Sequence, residues 1–338
     1  MSTERIISRV KRVKFEVMTE TRYQRSNDVL EARRIMNFMT IGLGALWTLD
    51  GFLQLQPQMF TQNLALQVIG MGLMGLPPPL YIVFERVLVQ FLIPHMAFWN
   101  SVFAALQLGI GFSLLMAPAR IKRLALITSV VWGVLVWVFG EGLAGVLSMT
   151  PAGGVFPGTP SMLSGFPGAA LLYVVIALFL LFLPADRWVP LGRFSIVRDA
   201  PVLLFILCAA VQAAPAMWTA YGQGSIFAAN VGNLPTQFAG TIIPLATYAI
   251  AHPVLTNGPE VAAILLSTFG LFWGKNRGCW GYVFALAWLS FIWWFGLGLG
   301  GILTGLGTDP NTPPAIALLM VPAIAWRRYS KRIGKLGK

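Results

Sequence analysis

WGVLVWVFGEGLAGVL, residues 132–147, decides how this chain is read, because it occurs twice. Residues 288–303 read WLSFIWWFGLGLGGIL, 156 residues further on, and Trp132, Trp137, Phe139, Gly140, Gly142, Leu143, Gly145 and Leu147 recur there as the identical residue. Self-similarity at a fixed offset marks a repeated structural unit and has to be recognised before any helix is counted. It predicts one membrane module duplicated in tandem.

Composition supports the membrane part of that reading. Of 338 residues 57% are hydrophobic and 11% charged, against roughly a quarter charged in a soluble domain. Several apolar runs reach the roughly 20 residues needed to cross a hydrocarbon core about 30 Å thick. They are continuous, whereas a transmembrane barrel would show alternating segments of about ten residues. The fold class expected is therefore all-α and polytopic.

The net charge of +12 would point to nucleic acid if its distribution were ignored. Nine basic residues lie between Arg5 and Arg34, and further groups lie at 120–123, 187–198, 275–277 and 327–338. Arg86 alone stands apart. An even number of apolar spans separates each group from the next, which is the positive-inside pattern with both termini cytoplasmic. The basicity serves topology and anionic inner-leaflet lipid rather than nucleic acid.

Five parts follow along the chain: a basic leader (1–34), a first four-span module (35–184), a basic cytoplasmic linker (185–199), a second four-span module (200–326) and a basic tail (327–338). In the leader, RIISRVKRVKF (5–15) mixes apolar and basic residues in the manner of a helix lying on the inner leaflet, or of a solvated segment. No cleavable signal segment is expected from a start so polar. The spans expected are 35–55, 97–116, 124–147 and 167–183, then 200–220, 256–274, 279–304 and 312–326. Residues 61–94 and 225–250 are apolar pieces that lie on the outer face, re-enter from it or cross; crossing would put adjacent Glu85 and Arg86 in lipid. About eight spans in two even sets give parallel repeats related by a pseudo-two-fold along the membrane normal. Cys208 and Cys279 fall at opposite ends of their spans, too far apart for a disulfide.

Polar residues kept in both modules are the candidates for chemistry. IPHMAFWN (93–100) aligns with IAHPVLTN (250–257), which pairs His95 with His252 and Asn100 with Asn257, and these are the only two histidines. QLQPQMFT (54–61) aligns with QAAPAMWT (212–219). By helix rise Asp50 lies roughly 24 Å, and Glu141 roughly 27 Å, above the cytoplasmic end of its span. His95 lies at the outer start of another span, so three titratable groups share a layer near the outer face, with Trp47 and Trp137 nearby. Charges within spans are costly and functional by default. The counterparts of Asp50 and Glu141 are Cys208 and Leu297, so the first module carries the fuller set.

Asp50, His95 and Glu141 suit a divalent metal. The same groups suit proton exchange at a quinone pocket, and His95 with His252 suits a haem held across the pseudo-two-fold. His95, His252 and Trp137 are the candidate cofactor contacts. The structural alternative is that His and Asn only cap a helix start. The glycines of FGxGLxG lie within an apolar run, where small residues let helices approach closely. No HExxH, CxxC, P-loop or GxSxG is present, which leaves soluble-type hydrolase and NTPase chemistry without support.

RRIMNFMTIGLGALWTLDGFLQLQPQMF (33–60) resembles the opening of DoxX-like membrane proteins. HMAFWN (95–100), WVFGEGLAGVL (137–147) and PGAALLYVVIAL (167–178) are similar to motifs seen in bacterial relatives as HPALWN, WWFGEGLGG and PGAALLY. Residues 35–184 carry the resemblance directly, and 200–326 only through the internal repeat. It implies a multi-pass protein of a bacterial or archaeal plasma membrane working in redox metabolism, since the group includes membrane subunits of a thiosulfate:quinone oxidoreductase and a protein needed for methylamine dehydrogenase maturation. The function expected is a redox-associated or accessory subunit of a larger membrane complex, with other membrane subunits as partners. A small-solute or metal-ion transporter and a purely structural subunit are the alternatives.

Overall fold

In the computed structural model, residues 3–149, 160–188, 195–277 and 279–327 are described. They are helical, with no strand among them. The tail beyond Arg327, linker residues 189–194 and loop residues 150–159 lie outside the described residues. The longer helices are α1 (Thr3–Leu53), α2 (Pro78–Val87), α3 (Met96–Met116), α4 (Ala119–Phe139), α5 (Ala169–Phe182), α6 (Ile196–Gln212), α7 (Ala220–Val231), α8 (Ile243–Ala251), α9 (Pro253–Arg277), α10 (Trp280–Phe291) and α11 (Thr312–Leu319).

Among the described residues, three helices are long and apolar enough to cross a membrane: Pro78–Met116, Ala119–Phe139 and Pro253–Trp273. Their outward faces are apolar and exposed, as lipid contact requires. On α4, Leu124, Ile127, Val131, Val134 and Leu135 point outward while Ala125, Leu126, Ser129 and Gly133 are buried. Between lipid-solvated helices the hydrophobic effect gives little, so close approach through small residues supplies the packing. Gly111 of α3 meets Thr48 and the Gly44 carbonyl of α1, and Gly281 of α10 sits against Gly270 of α9.

α1 runs unbroken from the leader into the first expected span. Nothing in the sequence stops it: there is no proline, and no glycine before Gly42. Residues 3–34 are thus helical and continuous with residues 35–53. The pieces between 61 and 94 form a short helical turn at 64–73 and α2, and α2 runs through wider and then tighter turns at 88–95 into α3. Within α2, the Tyr81 hydroxyl donates to Glu85 Oε1 at 3.0 Å, and Arg86 is exposed.

The glycine repeat corrects one expectation. α4 does not continue to residue 147; it ends at Phe139, and Gly142, Leu143, Ala144 and Gly145 take left-handed φ values of 54°, 57°, 52° and 72°. The matching stretch at 288–303 does the same after a wide turn at 292–296, with Gly298, Leu299, Gly300 and Gly301 at 53°, 57°, 72° and 68°. Glycine carries left-handed backbone without the Cβ clash that costs other residues about 1–2 kcal/mol. The close packing expected of these glycines is present, but at a chain reversal: a Cβ on Gly142 would run into the Gly72 carbonyl, and one on Gly72 into the Gly140 carbonyl.

Other contacts recur between the halves. Asn100 Nδ2 donates to the Gln54 carbonyl at 2.7 Å, and Asn257 Nδ2 to the Gln212 carbonyl at 3.2 Å. Trp137 Nε1 donates to the Pro167 carbonyl at 2.9 Å, and Trp293 Nε1 to the Pro310 carbonyl at 2.8 Å. Thr61 and Thr219 each close a turn onto the carbonyl three residues back at 2.7 Å.

Gly142→Val adds a β-branched side chain at a left-handed φ, where its Cβ meets the Gly72 carbonyl. A fall in Tm of about 1–3 °C is expected from the backbone penalty of about 1–2 kcal/mol alone, and more from the clash. Gly109→Ala, whose Cβ has nothing within 4 Å, should leave Tm unchanged or slightly raised. Thermal unfolding of the two variants in detergent checks the pair.

Candidate functional site

The early end of α4 leaves Glu141 just beyond the helix, and the turn that follows directs the chain inward. Its Oε1 accepts the Ala170 N–H at 3.0 Å, at the start of α5, where a helix N-terminus favours negative charge. Trp137, bonded to Pro167, fixes the loop that precedes α5. On α1, Asp50 is 2% exposed. The Tyr173 hydroxyl of α5 lies 3.5 Å from Asp50 Oδ1 as donor. Trp47, one turn earlier, bonds through Nε1 to Ser129 Oγ at 2.8 Å and sets its ring edge-on to Tyr173 at 5.0 Å.

Asp50 and Glu141 line one cavity of about 310 Å³ between α1, α3, α4, α5 and the 64–92 segment. The wall is mostly apolar and aromatic, with Trp47, Phe84, Trp99, Phe103, Trp132 and Tyr173 contributing rings. No lysine, arginine or histidine lines it. Gln54 and Gln107 add amides, and Gln54 Oε1, Gln107 Oε1, Trp132 Nε1 and Glu141 Oε2 are buried with no hydrogen-bond partner among the described residues. Unpaired buried polar atoms in such number call for a functional account.

A third acid arrives from the other half. The loop after the second glycine turn reaches back, and Thr308 and Asp309 complete the lining. Gln56 Nε2 holds this loop through the Gly307 carbonyl at 3.5 Å. Asp309 Oδ1 accepts the Asn311 N–H at 2.6 Å and its Oδ2 the Thr308 hydroxyl at 3.0 Å. Burial, above all, holds the Asp309 carboxyl above its ordinary range, against the pull of those two donors.

The exchange is reciprocal. In the first half, the segment 160–168 buries Met162 and Leu163, sets Leu163 against Gly296, and directs Ser161 Oγ onto Gln212 Oε1 at 2.6 Å. Gln212 Nε2 donates to Asn257 Oδ1 and Glu260 Oε2, both at 2.8 Å, and Gln223 Nε2 to the same Glu260 oxygen at 3.0 Å.

Among the sequence-derived candidates, Asp50 and Glu141 therefore share a cavity, but His95 and His252 do not join them. Both histidines are exposed, His252 against the Tyr248 ring at 4.8 Å. Neither histidine lines the cavity of Asp50 and Glu141, and Trp137 does not border it. Among the described residues no three His, Cys, Asp or Glu side chains are grouped to hold a metal ion. Cys208 is buried and Cys279 exposed, and both are free. Sequence reasoning missed Asp309 and Glu260: Asp309 stands in a loop between expected spans and Glu260 beside an expected span start, so neither was placed in the layer of Asp50 and Glu141 by helix rise. The available signal was scarcity: outside residues 1–34 and 185–199 only Asp50, Glu85, Glu141, Glu260 and Asp309 are acidic.

Comparison with known proteins returns nothing. No family model, no curated protein and no solved structure matches the chain. The arrangement must be read from its own chemistry: three carboxyl groups around a ring-lined space, with no basic counterpart among the lining residues.

A carboxyl held above its ordinary value by burial binds its proton more tightly folded than unfolded. Its contribution to stability is full below the unfolded value of about 4 and is lost as pH rises through the folded value. Asp309→Asn removes that loss. The Tm of the wild type should fall more steeply than that of the variant from about pH 4 upward, with the two closest at the acidic end. Thermal scans across pH check the sign.

Proposed function

We propose that this chain is a quinone-binding subunit of a redox complex in a bacterial or archaeal plasma membrane. The observation that carries the reading is the meeting of Asp50, Glu141 and Asp309 around one aromatic cavity of about 310 Å³. A quinone is a neutral ring with two carbonyl acceptors and an apolar tail, which suits ring and aliphatic walls. Its reduction to quinol takes up two electrons and two protons. The carboxyl groups are the exchangers for the protons, and a redox centre on a partner subunit supplies the electrons. The reading takes DoxX-like modules as the relatives of each half.

Two modules of four spans, about eight in all, with both termini cytoplasmic, are part of the same proposal. Three apolar helices of spanning length, the shorter apolar helices Ala169–Phe182 and Trp280–Gly296, and the recurring Asn-to-Gln and Trp-to-Pro bonds favour it. So does the grouping of basic residues.

Two measurements test these statements. A short-tailed quinone titrated into purified protein should quench tryptophan fluorescence saturably, since Trp47, Trp99 and Trp132 line the cavity. Asp50→Asn and Glu141→Gln should each weaken that binding about tenfold, or about 1.4 kcal/mol. Quenching that never saturates would refute the quinone reading. For topology, alkaline phosphatase fused at residue 338 should be inactive and fused at residue 160 active; the reverse pattern overturns the orientation.

A further inference from the structure

The second half holds a cavity of its own, of about 210 Å³, which the quinone reading leaves unused. Rings dominate its wall: Phe227 of α7, Tyr248 of α8, and Trp288 and Phe291 of α10. The last two stack at 5.2 Å with an angle of 12° between planes. Its one charged lining group is Glu260 of α9, 4% exposed.

Glu260 is built into place. Its Oε2 takes N–H groups from Gln212 and Gln223, and Gln212 is fixed in turn by Asn257 and by Ser161 from the first half. Those two amides account for every hydrogen bond to the carboxylate, and Oε1 has no donor among the described residues. An ionised carboxylate is acceptor-only. Buried without a counter-charge, it carries a desolvation cost that an incoming cation would relieve. No basic side chain lines the cavity to do so. The ring faces add attraction for the same kind of guest, because the aromatic quadrupole is negative over the face and favours cations within about 6 Å. At the repeat-matched position of the first half stands Phe103, so this chemistry belongs to the second half alone.

We propose that this second cavity binds a small organic cation, an alkylammonium group, between Glu260 and the rings of Phe227, Tyr248, Trp288 and Phe291. Glu260 lies two turns into α9, close to the outer end of the span in the proposed topology. A free amine and the ammonium of a lipid headgroup present the same chemistry there.

The test uses the full chain purified in a detergent that lacks an ammonium group, titrated with tetramethylammonium chloride and followed by calorimetry. Saturable binding is expected, weakened at least tenfold in Glu260→Gln and in Tyr248→Leu, and unchanged in Asp50→Asn, whose side chain lines the other cavity. Tyr248 is 47% exposed at the rim, so its replacement keeps a folded comparison should Glu260→Gln lose the Gln212 network. A second titration with a short-chain phosphatidylcholine separates the sources: tighter binding than tetramethylammonium assigns the site to a headgroup, weaker binding to a free amine. Failure of both probes to bind saturably, or binding that Tyr248→Leu and Glu260→Gln both retain, overturns the proposal. Quinone quenching is read at the other cavity, so either proposal can fail while the other stands.

Discussion

The contact between the Gly142 turn and the Gly72 carbonyl is the point on which the first half depends. Within a membrane, irregular backbone is tolerated only where protein surrounds it. α4 stops at Phe139, short of the run of apolar sequence available to it, and the chain reverses through left-handed residues against a neighbouring backbone. A side chain at either glycine would separate those backbones. Because the helix stops there, Glu141 faces the start of α5 and a cavity can exist at all. The second half repeats the reversal at Gly298–Gly301, and there too a loop returns toward the bundle.

From that shared frame the halves diverge in chemistry. The first encloses three acids among rings and unpaired amides; the second encloses one acid clamped by two glutamines. The frame bonds, Asn100 to Gln54 and Asn257 to Gln212, tie the start of one helix to the end of another and are the same in both. The retained Asn-to-Gln bonds thus hold the scaffold, and the acids that line the cavities differ between the halves.

This division explains what could be read from the sequence. Helical membrane class and the candidacy of Asp50 and Glu141 were legible, because apolar run length and charge scarcity are local properties. The histidines recur, yet both side chains are exposed and stand apart from the cavity that Asp50 and Glu141 line. The glycine motif was recognised as packing, yet its left-handed turn was not, since periodicity describes continuation and says nothing of where a chain reverses. Asp309 and Glu260 were invisible to comparison of the halves, which rewards identity. Only the three-dimensional path of the 302–311 loop brings Asp309 beside Asp50.

Each half lends a loop to the other: Asp309 enters the first cavity, and Ser161 braces the network behind the second. This is the geometry of a loop-swapped pair of subunits, closed here within one chain by a tether. A swap between separate molecules depends on concentration, whereas a short linker makes the exchange intramolecular and permanent. Neither half is therefore a free-standing unit. Any drift in sequence that reshapes one bundle displaces a residue belonging to the other's cavity, so the two must change together.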